Sequence, residues 1–210
     1  MRFYFILFAI LLSSPFLFAQ EKYVAIPVSN RSVDSARVME ETKMNVNCFF
    51  LSSIEKEIVQ WLNIARMYPK WYLHFRKIEN IDPIYTQTLI QTLKTKKPSK
   101  QQLIPSESLW KTAYCHASTA GPIGYMGHER QSAQCDRKIN AECLHYGSGT
   151  AAAKVERLLI DKGVPNLGHR RIMLDSKLKY VAVSSLPFKK SKESSMTVID
   201  FSYAQPKDKR

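Results

Sequence analysis

The chain predicts an α+β fold, and three observations carry that reading. Helix-start signals dominate the first two thirds of the chain, two alternating apolar stretches close it, and no internal repeat interrupts this order. Helices packed on a central antiparallel sheet satisfy all three. Ser52 with Glu55 three residues later forms a capping box, and Ile54, Ile58, Trp61, Leu62 and Ala65 then recur on one helical face until Pro69. Arg66 sits at the negative end of that helix dipole. A second helical stretch spans residues 85–93, followed by a basic, proline-containing loop. Ser106 caps a third helix whose inner face carries Leu109, Ala113 and Ala117. His116 on that helix reads as a structural or surface residue rather than a ligand. After an irregular run at 121–140, a helix over 151–161 has Ala152, Val155, Leu158 and Leu159 at helical spacing. Two strands follow, over 177–185 and 196–204, with Val181 and Val183 alternating on one and Thr197, Ile199, Phe201 and Tyr203 on the other. A polar loop at 187–195 joins them as a hairpin.

The 210 residues suffice for one domain with a real core, and 45% hydrophobic with 23% charged content is ordinary for a globular protein. Net charge is +13, from 31 basic and 18 acidic residues, which favours an anionic partner such as an envelope or extracellular polymer or a lipid surface. The basic runs lack interleaved aromatics, which argues against nucleic acid. Residues 1–19 have a positive start, an apolar stretch and a small-residue end at Ala19. That is the pattern of a cleavable signal peptide rather than a permanent membrane anchor, so the expected location is secreted or periplasmic. Residues 20–50 show no clear period and are expected as a flexible lead-in, with the domain at 51–206 and a basic tail at 207–210. Cys48, Cys115, Cys135 and Cys143 form an even set in an oxidising compartment, so one or two disulfides are expected. Four cysteines allow three full pairings; the short Cys135–Cys143 loop is preferred, which leaves Cys48 with Cys115. The lack of a C-x-x-C spacing disfavours a structural zinc site.

Residues 161–174 read D-K-G-V-P-N-L-G-H-R-R-I-M-L. Gly163 suits a left-handed helix end, Pro165 prevents continuation, and Asn166 can cap a short new helix. This corner presents Asp161 and His169 from two element ends. His128 and Glu142 stand at comparable boundaries. Two imidazoles and two carboxylates suit a divalent cation, zinc above all, with His128, Glu142, Asp161 and His169 as ligands. The same four are the candidate catalytic groups if the cleft does acid–base work. No H-E-x-x-H helix or local nucleophile motif accompanies them, and Ser106 and Ser132 carry no signature of activation.

The order of these motifs resembles the CAP superfamily (cysteine-rich secretory proteins, antigen 5 and pathogenesis-related proteins), especially its bacterial branch. The resemblance rests on N-x-A-R-x-x-P at residues 63–69, Leu109-Trp110-x-x-Ala113, Gly127-His128, Ala141-Glu142-Cys143-Leu144-x-Tyr146-Gly147, Gly168-His169-Arg170, and the closing Val198-Ile199-Asp200-Phe201. It covers residues 54–203. Ala141 and Cys143 depart from the family's Gly and Asn around the cavity glutamate, and Asp161, in preference to Glu156, stands for a glutamate on the preceding helix. The resemblance implies a three-layer α-β-α sandwich with a cleft lined by two histidines and two acids that takes a divalent metal. For function it implies a secreted binding or interaction protein, with a zinc-dependent, peptidase-like hydrolase or a lipid- or sterol-binding protein as the alternatives.

Overall fold

Capping residues set most element boundaries in the structure, a computed structural model that describes residues 34–43, 48–135, 137–189 and 191–206, with the backbone alone at 191–193. Asp34 accepts the Ala36 N–H and opens α1 (Ser35–Thr42). Next come α2 (Ser53–Met67), α3 (Pro69–Arg76) and α4 (Pro83–Thr95), which Asp82 caps through the Ile84 and Tyr85 N–H groups. A two-residue strand β1 (Ile104–Pro105) precedes α5 (Glu107–Ala120), whose Leu109 N–H donates to Ser106 Oγ. The chain closes with β2 (Ala141–Gly147), α6 (Ala151–Ile160), α7 (Gly168–Leu174), β3 (Tyr180–Phe188) and β4 (Ser191–Ser202). The predicted signal peptide and basic tail lie outside the described residues.

The result is a mixed α/β chain with seven helices and one four-stranded sheet among the described residues. The strand order is β1-β3-β4-β2. β4 pairs antiparallel with both β2 and β3, whereas β1 lies parallel to β3. The expected antiparallel sheet is therefore correct for three strands and is corrected by the fourth. β1 is too short to leave a periodic trace in the sequence.

β4 is apolar on both sides, and that property organises the packing. Ile199 and Phe201 join Cys143, Val181 and Val183 in the main core, which also holds Ile58, Leu62, Val155 and Leu159 from α2 and α6. Met196 and Val198 face the opposite way and pack with Leu144 and Phe188 against Ala113, Ala117 and Ala120 of α5. The alanine stripe lets α5 approach the sheet closely. Glu55 links helix to sheet: its Oε2 accepts the Ser52 N–H at 2.7 Å and its Oε1 accepts the Ser185 N–H at 2.8 Å.

Several expectations need correction. Part of the predicted lead-in is helix α1, because Val38 and Thr42 are buried and Gln60 on α2 donates to the Met39 carbonyl. Eight residues hold too few apolar positions to show a period. The strand pair extends to Phe188 and Ser191, so the 187–195 loop is mostly strand. The disulfide joins Cys115 on α5 to Cys135, not Cys135 to Cys143. Alternation along β2 is the reason, since Cys143 points into the main core while Leu144 faces α5. Cys48 and Cys143 carry free thiols, and burial pushes the Cys143 thiol well above its usual range.

Buried arginines hold the helix ends that matter for the site. Arg66 donates from Nη1 to the Met173 and Asp175 carbonyls and from Nη2 to Leu178 O, at 2.8–3.0 Å. Its contribution is thus to the end of α7 as well as to its own helix. Hydrogen bonds from a charged donor are worth about 1.5–3 kcal/mol each when the acceptor would otherwise be stranded. In the same segment, Asn63 Oδ1 accepts the Leu103 N–H at 2.8 Å. The N-x-A-R segment is therefore a set of backbone clamps.

Candidate functional site: two histidine–carboxylate pairs

The corner at residues 161–174 forms as a turn between two helix ends. Asp161 itself, at φ 60°, closes α6 in the left-handed conformation, a position the sequence reading had assigned to Gly163. An aspartate tolerates this backbone better than a branched residue because its short side chain bonds locally. Leu167, not Asn166, precedes α7, yet Asn166 Oδ1 does accept the Gly168 N–H at 3.0 Å. The fold places the Asp161 carboxylate against the first turn of α7: Oδ1 accepts from His169 Nδ1 at 2.7 Å and Oδ2 from the Arg170 N–H at 3.3 Å. Arg170 fastens the corner by donating to the Leu159, Ile160 and Tyr85 carbonyls and to Thr88 Oγ1, at 2.6–3.0 Å.

His128 is held by the backbone of the preceding glycine. Gly127 N–H donates to the Tyr146 hydroxyl at 2.9 Å, and Gly127 O accepts from His116 Nε2 at 3.0 Å. Gly127 has φ 149°, a backbone that strains other residues, and a Cβ there would lie 2.8 Å from the Tyr125 hydroxyl and force that ring to shift. His116 is buried rather than on the surface, and its burial lowers its pKa. From this anchored turn His128 Nδ1 donates to Glu142 Oε1 at 2.7 Å.

A charge cluster that the motif reading missed lies behind Glu142. Arg130 Nη1 donates to Glu142 Oε2 at 2.7 Å, and its Nη2 stands 4.0 Å from Asp200 Oδ2. Glu142 and Asp200 are directly opposed residues on β2 and β4. Asp200 is completely buried and also accepts from Thr112 Oγ1 on α5. Burial first, and the neighbouring Glu142 carboxylate second, push its carboxyl well above the ordinary value of 3.8. The sequence signal was present: Asp200 shares alternation with Val198 and Met196, so a carboxyl interrupts a core-facing row.

The four predicted site residues therefore fall into two pairs, His128–Glu142 and His169–Asp161. Among the described residues, no three His, Cys, Asp or Glu side chains come together in a group able to hold a metal ion. Glu156 is engaged elsewhere, with Arg76 and the Glu79 N–H. Both carboxylates have both oxygens in use, on an imidazole and on Arg130 or the Arg170 N–H. Each Nδ1–H donates to its carboxylate, which leaves each Nε2 lone pair open. In each pair the acid orients the ring, the arrangement in which a carboxylate sets the tautomer of a histidine able to offer Nε2 to a metal. His128 is 46% exposed and His169 23%, so both rings are accessible from solvent.

His145 is the fourth histidine of this region, on the same strand as Glu142. Burial first, then Lys154 and Arg157, depress its pKa to about 4, so it is neutral at physiological pH. Two surface clefts lie away from both pairs: an apolar groove of about 560 Å³ bounded by Ala117, Pro122, Leu186 and Phe188, and a polar one of about 350 Å³ at Ser106 and Tyr180. No protein-family model matches the chain, and no curated protein matches it.

Proposed function

We propose that the protein is a secreted, CAP-type binding protein that takes a divalent cation, zinc in the first instance, through His128 and His169. Support comes from the motif order, from helices packed on both faces of the sheet as in an α-β-α sandwich, and above all from the shared geometry of the pairs. In both, a carboxylate 2.7 Å from Nδ1 fixes the tautomer and leaves Nε2 free to bind a metal. The chain's own groups do the orienting: Glu142 with Arg130 holds one ring, and Asp161 with the Arg170 N–H holds the other. A bound zinc would supply Lewis acidity and a site for an anionic group. The net charge of +13 matches an anionic envelope or extracellular partner.

Calorimetry with zinc on purified protein tests this reading. Wild type should bind one ion, while His128→Ala and His169→Ala, checked for folding by circular dichroism, should each lose at least tenfold in affinity. Equal binding by all three proteins would overturn it.

A further inference from the structure

An aromatic row starts at the main core and runs out into solvent along α5. Phe50 and Trp110 are half-buried against that core, with ring centroids 6.3 Å apart. Tyr114, one turn after Trp110, stacks on it at 5.0 Å and is 44% exposed. Phe49 stands edge-on to Phe50 at 6.4 Å and is 84% exposed. Leaving a phenyl ring in water forgoes about 1.5–3 kcal/mol of burial. Four contiguous rings ending on so exposed a residue mark a contact surface rather than a stray apolar side chain.

The row runs into the polar cleft of about 350 Å³ at the start of the same helix. The Trp110 N–H donates to the Ser106 carbonyl at 2.9 Å, so cleft and row are one turn apart. Glu107 and Ser108 of α5, Tyr180 of β3 and Gln205 give the cleft a carboxylate, hydroxyls and a carboxamide. Cations border this strip. Lys179 is exposed beside Tyr180, and its carbonyl accepts the Ile104 N–H at 2.8 Å at the cleft wall. The Lys111 side chain is 59% exposed, and its pair with Glu107 is an open i,i+4 contact of 3.5 Å. Such a pair is worth about 0.3–0.5 kcal/mol, so an incoming anion displaces it at little cost. Ser108 Oγ donates to the Pro206 carbonyl at 3.2 Å, which brings the chain to the cleft just before its basic sequence at 207–210.

A sugar ring has apolar faces of C–H groups and a rim of hydroxyls. Aromatic faces match the first, and the polar groups of the cleft match the second. The cations add complementarity to carboxylates carried along a chain. We propose that this strip binds an acidic polysaccharide built from hexuronic acid units. Sugar faces pack on Phe49 and Tyr114, hydroxyls reach Glu107, Ser108 and Gln205, and carboxylates meet Lys111 and Lys179. Single-stranded nucleic acid also combines rings with anions, but its phosphodiester chain offers few hydroxyl donors to a cleft carboxylate such as Glu107. The proposal names the anionic extracellular partner of the reading above, and it rests on that reading's charge argument rather than on its zinc.

Binding of fluorescently labelled polygalacturonate, alginate and hyaluronate to the whole protein, with chelator present, tests the strip without any metal. At least one of the three should bind, while its methyl ester and neutral dextran should bind at least tenfold more weakly. Phe49→Ala and Tyr114→Ala alter exposed rings and should fold normally by circular dichroism; each should weaken binding about tenfold. Lys111→Gln combined with Lys179→Gln should weaken it and flatten its salt dependence. No binding by any of the three polymers would overturn the proposal. So would equal binding by wild type and the two ring variants, or tighter binding of single-stranded DNA that the ring variants lose. Zinc titrations should be unchanged in the ring variants, so either reading can fail alone.

Discussion

The two histidine–carboxylate pairs have the same first contact and different foundations. His169–Asp161 rests on backbone: a left-handed helix end, an N–H of the next helix, and a buried arginine bonded to carbonyls. His128–Glu142 rests on charge: Glu142 leans on Arg130, which also stands beside the buried Asp200. A backbone-built pair loses little when one charge is removed. A charge-built pair fails when its cation goes, because two opposed carboxyls are left without compensation.

The largest break in that contrast should come from Arg130→Leu. Removing the cation strands Glu142 beside Asp200, and urea unfolding at pH 7 should register a loss of about 3–5 kcal/mol. A carboxyl whose folded pKa is raised favours the folded state when protonated, so its stability is present at low pH and lost as pH rises through the elevated value. Asp200→Asn added to Arg130→Leu should therefore recover a large part of the loss at pH 7. Recovery of less than a quarter would mean that Asp200 carries no charge penalty there.

Next in size is the disulfide, which sharpens the comparison because its loop holds His128 and no member of the other pair. Cys115–Cys135 spans 20 residues and encloses His128. Reducing it should cost about 3 kcal/mol, judged from loop length. In nuclear magnetic resonance spectra the His128 ring signals should broaden or move while those of His169 stay in place. Equal disturbance at both rings would show that the pairs share one support.

The smallest effect is expected at the backbone-built pair. Asp161→Asn keeps an oxygen for His169 and tolerates the left-handed conformation, so thermal unfolding should show a loss of about 1 kcal/mol. Asp161→Ala loses both and should cost about 2–3 kcal/mol. If the asparagine costs as much as the alanine, charge rather than geometry holds this pair too.

Local chemistry made part of this legible in advance. Ser52 with Glu55, Ser106, and the apolar period of α6 act within a few residues, and the corner at 161–174 declared itself through glycine, proline and a helix-ending pattern. His169 and Asp161 are eight residues apart, and their pairing follows from that corner. Arg130, Thr112 and Lys154 carried no comparable signal because their partners are distant in sequence: Lys154 meets Ser195 and Thr197 across more than forty residues. The cysteine pairing was misread for a related reason. Loop length favoured Cys135–Cys143, but alternation along β2 turned Cys143 to the other side of the sheet.

By itself, the chain determined where α2, α5 and α6 begin, that two strands close the fold, and the four polar side chains worth following. These depend on capping, propensity and period, all of which act over one or two turns. Tertiary structure alone decided that the four divide into two pairs, that Arg130 and Asp200 stand behind one of them, and that a buried lysine lies among hydroxyls from two strands. Strand register and helix packing set those contacts, and each depends on residues far apart in the chain being brought to the same side of one sheet.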